Sequence, residues 1–204
     1  APPPLLAGLH PPTPAPKPAS EAKPSTPQAL FSDAERSPEE RHTIVVLVDN
    51  EPGVLARVIG LFSGRGYNID SLTVAEIDAD KSQSRINIVT TGTPFVIEQI
   101  KNLLAKLVPV HSVLDLTVEG PHIERELALV KVVGGRENLV QALRIADFMH
   151  ARLVDSTPES FVFEVTGTSG EVDAFIHLVE PIEVSRAGVV AIGRGDSILR
   201  PRER

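Results

Sequence analysis

The chain has 204 residues, room for one large domain or two small ones, and its formal net charge of −7 argues against the basic surface that nucleic acids require. Hydrophobic residues make up 42% of it and aromatics only 4%, so a core must be built from Val, Ile, Leu and Ala. There is no cysteine, which excludes disulfides, thiol nucleophiles and Cys-ligated zinc, and no apolar run approaches the roughly 18–20 residues that cross a bilayer.

Residues 1–42 hold most of the 18 prolines, mixed with Ala, Ser, Thr and Lys. Such a segment buries too little apolar surface to offset its ordering entropy, and it reads as a disordered tail. It has neither the basic and apolar regions of a signal peptide nor the Arg-rich, acid-poor composition of a transit peptide, so the expectation is a cytoplasmic protein without membrane or nucleic-acid partners.

From Thr43 the pattern changes. Thr43 to Val48 is a β-branched apolar run that predicts a buried strand. Asn50-Glu51-Pro52-Gly53 is a helix start with Pro in the first turn, and Val54, Leu55, Val58, Ile59, Leu61 and Phe62 form one helical stripe ended by Gly64 and Gly66. Strands are predicted at 68–77 and 85–91, joined by the polar hairpin loop 78–82. Pro94 opens a helix with Val96, Ile100, Leu103 and Leu107 on one face, and a strand follows at 113–118. The order is βαββαβ, the ferredoxin-like arrangement.

The order then recurs. Strands are predicted at 127–133, 152–155, 161–166 and 189–193. The helices are marked by Leu139, Leu143, Ala146 and Met149, and by Val172 to Val179. The fold class is therefore α+β, two tandem ferredoxin-like domains at 43–120 and 125–198. Each is a four-stranded antiparallel sheet with two helices on one face. Domains this small have limited cores, and pairing between copies is expected.

Catalytic motifs are missing. The six histidines make no metal-ligand spacing, and residues 78–82 start like a calcium loop but have Gln83 at the position that needs Gly. Gly64-Arg65-Gly66 and Gly193-Arg194-Gly195 lack the strand-turn-helix context of a dinucleotide site, and no Gly-Lys-Ser/Thr follows Gly167-Thr168-Ser169-Gly170.

One loop carries chemistry. A helix start leaves backbone N–H groups unpaired and bears partial positive charge, so it can hold a carboxylate. Pro52 fixes the entry geometry, Gly53 lets a ligand approach the backbone, and the N–H groups of Gly53, Val54 and Leu55 are the expected donors. Asn50, and Asn68 at the start of the second strand, are candidate acceptors for an ammonium, Asn68 across a dimer. The competing reading makes Asn50 a helix cap and Asn68 a turn residue.

The stretch from Leu47-Val48-Asp49-Asn50-Glu51-Pro52-Gly53-Val54-Leu55 through Gly64-Arg65-Gly66-Tyr67-Asn68-Ile69-Asp70-Ser71 resembles the regulatory small subunits of acetolactate synthase (acetohydroxyacid synthase), whose N-terminal half is an ACT domain. Glu124-Arg125-Glu126-Leu127-Ala128-Leu129-Val130-Lys131-Val132 and Ser185-Arg186-Ala187-Gly188-Val189 extend the resemblance over 42–198. It implies a non-catalytic subunit that activates a catalytic large subunit and confers feedback inhibition by branched-chain amino acids, usually valine, bound between two ACT domains of a homodimer. The implied effector residues are Asn50, Gly53, Val54, Leu55, Asn68 and Ile69, with Ala75 nearby. Thiamine diphosphate, Mg²⁺ and FAD belong to the catalytic partner, and no cofactor is implied here.

Two departures from the first repeat or the family stand out. Val133-Gly134-Gly135-Arg136-Glu137 replaces the Asn-x-Pro-Gly loop in the second repeat, so no effector site is expected there. The connection at Glu180-Pro181-Ile182-Glu183 is about three residues short for such a unit. The alternatives are a free-standing amino-acid sensor for another enzyme and an acylphosphatase-like hydrolase, whose first loop would need an Arg that this one lacks.

Overall fold

The apolar run beginning at Thr43 forms the centre of β1 (Glu40–Asp49), and every residue from His42 to Val48 is buried. The structure, a computed structural model, describes residues 37–80, 82–195 and 199. The tail expected over 1–42 falls outside these residues up to position 36, and its last three residues already belong to β1.

Helix α1 (Val54–Ser63) follows, then β2 (Ser71–Glu76), β3 (Gln83–Gly92), α2 (Pro94–Leu104) and β4 (Val110–Asp115). The strands are all antiparallel, in the order β2-β3-β1-β4. Ile44, Val46 and Val48 face the helices and meet Val54, Val58, Leu61 and Phe62 of α1 and Ile97, Ile100 and Leu104 of α2. Thr93 caps α2, its hydroxyl accepting from the Val96 N–H, with Pro94 in the first turn.

The second unit repeats this. It comprises β5 (His122–Val133), α4 (Arg136–Phe148), β6 (Arg152–Ser156), β7 (Ser160–Gly167), α5 (Ser169–Val179) and β8 (Glu183–Gly193), in the order β6-β7-β5-β8. Its core gathers Ala128, Val130 and Val132 against Phe163, Phe175 and Val172. Thr168 and Glu171 form a reciprocal capping box at α5. No described helix is long and apolar enough to cross a membrane.

Several predicted boundaries shift. The fourth strand, expected at 113–118, lies at Val110–Asp115, because Asp115 accepts from the Thr117 N–H and caps a single-turn helix α3 (Leu116–Glu119). On the second helix the expected Val96, Leu103 and Leu107 pack partly buried on the same core as the fully buried Ile97, Ile100 and Leu104, and on α4 Ala142 is buried where Leu143 is exposed. The eighth strand begins at Glu183, six residues early. Its polar first half is held by ladder bonds to β5, which an apolar pattern does not reveal. The short connection before it is a tight turn: Glu180 takes a left-handed conformation at φ 46°, and the Ile182 N–H donates to the Lys131 carbonyl at 2.9 Å.

The two units pack together. Val45, on the face of the first sheet away from its helices, meets Leu116 of α3 and Ala191 of β8. The Ser71 hydroxyl accepts from the Val189 N–H at 2.8 Å, and the Thr73 hydroxyl donates to the Val189 carbonyl at 3.0 Å. Arg85 Nη2 donates to the Ala191 carbonyl at 2.6 Å. Gly188 sits at φ 87°, where an added Cβ would lie 2.8 Å from Thr73 Cγ2, so only glycine allows this close approach.

Candidate functional site

The loop between β1 and α1 stands open to solvent from Asn50 to Gly53. Its two flanks are fixed: the Asp49 N–H donates to the Pro109 carbonyl at 2.8 Å and the Asn50 N–H to the Ser82 carbonyl at 2.7 Å. Gly53 occupies the N-cap position in a left-handed conformation, φ 85°, with no side-chain cap. Among the described residues nothing lies within 4 Å of where a Cβ on Gly53 would sit, so the backbone there is open.

The Val54 N–H donates to the Glu51 carbonyl at 3.3 Å, and the Gly53 carbonyl accepts from Arg57 at 3.0 Å. Val54 was expected to offer its N–H to a ligand, but that group is engaged within the loop. Among the described residues nothing accepts from the N–H groups of Gly53, Leu55 and Ala56. No acidic residue occupies the first turn of α1, so its partial positive charge is not offset there. The Val54 side chain is buried in the core, whereas Leu55 is exposed beside the loop.

Asn50 is not the helix cap. Its side-chain amide donates to Glu76 Oε1 at 3.1 Å, linking the loop to the last residue of β2. Glu76 was not singled out from the sequence, where it is one more polar residue at a strand end. In place, its carboxylate is bonded to the loop that leads into the helix start. Ala75 is its exposed neighbour, opposite Arg85 on β3.

Asn68 and Ile69 lie elsewhere. Asn68 Nδ2 donates to Asp70 Oδ1 at 2.5 Å, and its carbonyl accepts from the Thr90 hydroxyl at 2.6 Å. Ile69 is half-buried against the core. In the β2–β3 register Ser71 faces Val89 and Glu76 faces Ser84, while Asp49 of β1 faces Gln83. Asn50 and Glu76 therefore share one end of the sheet and Asn68 the other, on the order of 20 Å away along β2. Within one chain the expected site residues form two separate groups.

The second repeat has only Gly134 and Gly135 between β5 and α4. Gly135 has φ −67°, the first turn of α4 contains Glu137, and the Asn138 side chain lies 3.1 Å from where a Cβ on Gly134 would sit. Three of the described histidines pair with carboxylates: His42 Nδ1 with Asp115 at 2.8 Å, His111 Nε2 with Asp49 at 2.5 Å and His122 Nε2 with Glu124 at 3.4 Å.

Residues 44–112 match the family described as the AHAS small subunit-like ACT domain, and residues 125–195 match the small subunit of acetolactate synthase. The chain belongs to the acetolactate synthase small-subunit family. It is 44% identical to the acetolactate synthase isozyme 3 small subunit of Escherichia coli over 164 residues, covering 78% of this chain and 99% of that one. A probable acetolactate synthase small subunit of Archaeoglobus fulgidus is 43% identical, over 76% of this chain and 98% of that one. The crystal structure of the acetolactate synthase small subunit from Thermotoga maritima superposes with a TM-score of 0.70 at 34% identity, covering 78% of this chain and 99% of that one. Members of this family are regulatory subunits that do not themselves catalyse.

Proposed function

We propose that this chain activates a catalytic acetolactate synthase subunit and makes it sensitive to a branched-chain amino acid, valine foremost, bound between the N-terminal ACT domains of a homodimer. The supporting observation is the separation of Asn50 and Glu76 from Asn68 along β2, an edge strand. If two copies pair antiparallel along β2 about a two-fold axis, the Asn68 end of one meets the Asn50 end of the other. Each such junction combines the unpaired N–H groups at Gly53 and Leu55, the Glu76 carboxylate, and Asn68 and Ile69 of the second copy. The ligand carboxylate faces the helix start, its ammonium faces Glu76, and its branched side chain packs by Leu55 and Ile69.

The catalytic subunit would bring thiamine diphosphate, Mg²⁺ and FAD. Valine inhibits only by its differential affinity for the two states of the assembled enzyme. Apolar pockets separate Val, Leu and Ile by only about 1–3 kcal/mol per methylene, so all three are expected to bind in graded fashion.

The test is calorimetric titration with valine of Asn50→Ala, of Asn68→Ala and of an equimolar mixture of the two after subunit exchange. Each variant alone should bind valine weakly. The mixed dimer should recover one full-affinity site, because one of its two junctions has both asparagines intact. No recovery on mixing, with exchange verified by mass, would exclude a shared site.

A further inference from the structure

The loop between β2 and β3 is closed by Asp78. Its Oδ2 accepts from the Ser82 hydroxyl and its Oδ1 from the Gln83 N–H at 3.1 Å. The Ile77 N–H donates to the Gln83 carbonyl at 3.2 Å, so the backbone is bonded there as well. The Ser82 hydroxyl, and after it the Gln83 N–H, hold the Asp78 carboxyl below the ordinary carboxylate range, so it is ionised at neutral pH. On its far side Ser82 meets the effector loop, its carbonyl accepting from the Asn50 N–H at 2.7 Å. Two bonds in series thus run from Asp78 through Ser82 to Asn50. Asn50 is held twice from this end of β2, through its N–H by Ser82 and through its amide by Glu76.

The second unit keeps the backbone contact but not the acid. There the Gly134 N–H donates to the Glu159 carbonyl at 3.1 Å. The turn is closed by Thr157, whose N–H donates to the Ser160 carbonyl at 2.8 Å and whose hydroxyl accepts from the Ser160 N–H at 3.0 Å. That turn is only 157–159, whereas the loop after β2 is 77–82. A longer loop has more conformations to lose, and an acceptor with two oxygens gathers its end.

We propose that Asp78 is a positioning residue for the effector loop and, resting on the valine reading above, that it sets how tightly the site holds the amino acid. A ligand held by a preorganised loop loses less on binding than one that must order the loop first. Without the carboxylate the hairpin is free to rearrange and the Ser82 carbonyl leaves Asn50. The ligand then has to restore both. Affinity falls, while the sheet and its core stay as they are, because Asp78 is bonded to the hairpin alone among the described residues.

The test uses the full chain as Asp78→Ala, Asp78→Asn and, to control for charge in the same loop, Asp80→Ala. Amide hydrogen exchange reads the clamp without any ligand. In Asp78→Ala the Asn50 N–H should exchange at least fivefold faster than in wild type, while the Asp49 N–H, held by the Pro109 carbonyl, keeps its rate. Calorimetry reads the consequence. The Kd for valine should rise at least threefold in Asp78→Ala, less in Asp78→Asn, which keeps an acceptor oxygen, and not at all in Asp80→Ala. An unchanged Asn50 rate in Asp78→Ala overturns the proposal whether or not valine binds. So does faster exchange with an unchanged Kd, or an equal loss of affinity in Asp80→Ala. A wild-type chain that binds no valine defeats the effector reading, and with it the role of Asp78 in affinity, while the Asn50 rate still decides the clamp.

Discussion

The amide of Asn50 holds the carboxylate of Glu76 at 3.1 Å, across 26 positions of sequence. This bond ties the open helix start to the end of an edge strand. It links the loop to β2, and in the proposed site it places a carboxylate on the side of the ligand ammonium.

Removing that anion should weaken effector sensitivity without touching activation. Loss of one hydrogen bond of about 1 kcal/mol corresponds to roughly a fivefold change. In enzyme reconstituted with the catalytic subunit, Glu76→Ala should raise the valine concentration for half-inhibition at least fivefold. Maximal activation by saturating small subunit should stay at the wild-type level. Glu76→Gln, which keeps an oxygen for Asn50 but loses the charge, should fall between.

Gly53 and Gly60 make a controlled pair. A Cβ has open space at both, but Gly53 has φ 85° whereas Gly60 lies within α1. Gly53→Ala forces an L-residue into the left-handed region and should cost about 1–2 kcal/mol. Gly60→Ala removes backbone freedom from the unfolded chain at a helical position and should stabilise by about 0.5–1 kcal/mol. Urea midpoints moving in opposite directions would establish that conformation, not space, sets the sign.

Arg186 makes two bonds to the buried Glu126 carboxylate, from Nε at 2.7 Å and from Nη2 at 2.6 Å. These bonds hold the Glu126 carboxyl below its ordinary value, and they raise Arg186 further. Because the folded value lies below the unfolded one, the stabilisation is present above about pH 4.5 and is lost as pH falls through the depressed value. Glu126→Gln should therefore be about 1–2 kcal/mol less stable than wild type at neutral pH, with the gap narrowing in acid. Denaturant melts at pH 7 and near pH 3 measure both gaps, and equal gaps would remove Glu126 as their source.

The repeated βαββαβ order was legible because apolar alternation and Pro-Gly punctuation report strands and helix starts directly. Boundaries were lost where polar chemistry decides. Asp115 turns the chain into a short helix although Leu116 and Val118 continue the alternation, and Glu183–Ala187 joins β8 through ladder bonds and polar side-chain pairs such as Arg186–Glu126 rather than through an apolar pattern. The expected helix faces do pack on the cores except at Leu143, but the fully buried stripe also includes Ile97, Leu104 and Ala142, which are small or flanked by other apolar side chains and do not stand out in the pattern. The open helix start, with Gly53 at the N-cap, was legible from Pro52 and Gly53. Glu76 was not, since its significance comes from a neighbour 26 residues away. The separation of Asn68 from Asn50 needed the strand register, which no local pattern contains.

The far half of β8 completes one sheet while roofing the other, with Ala191 set against Val45 and Leu116. The halves are thus not beads on a string. A fragment ending near Gly120 would keep all four strands and both long helices of the ACT unit yet lose part of the cover over Val45. Such a fragment should be sticky and should melt earlier, whereas the intact chain loses both sheets in one cooperative step. The two units are joined through a shared interior as well as through the connecting segment.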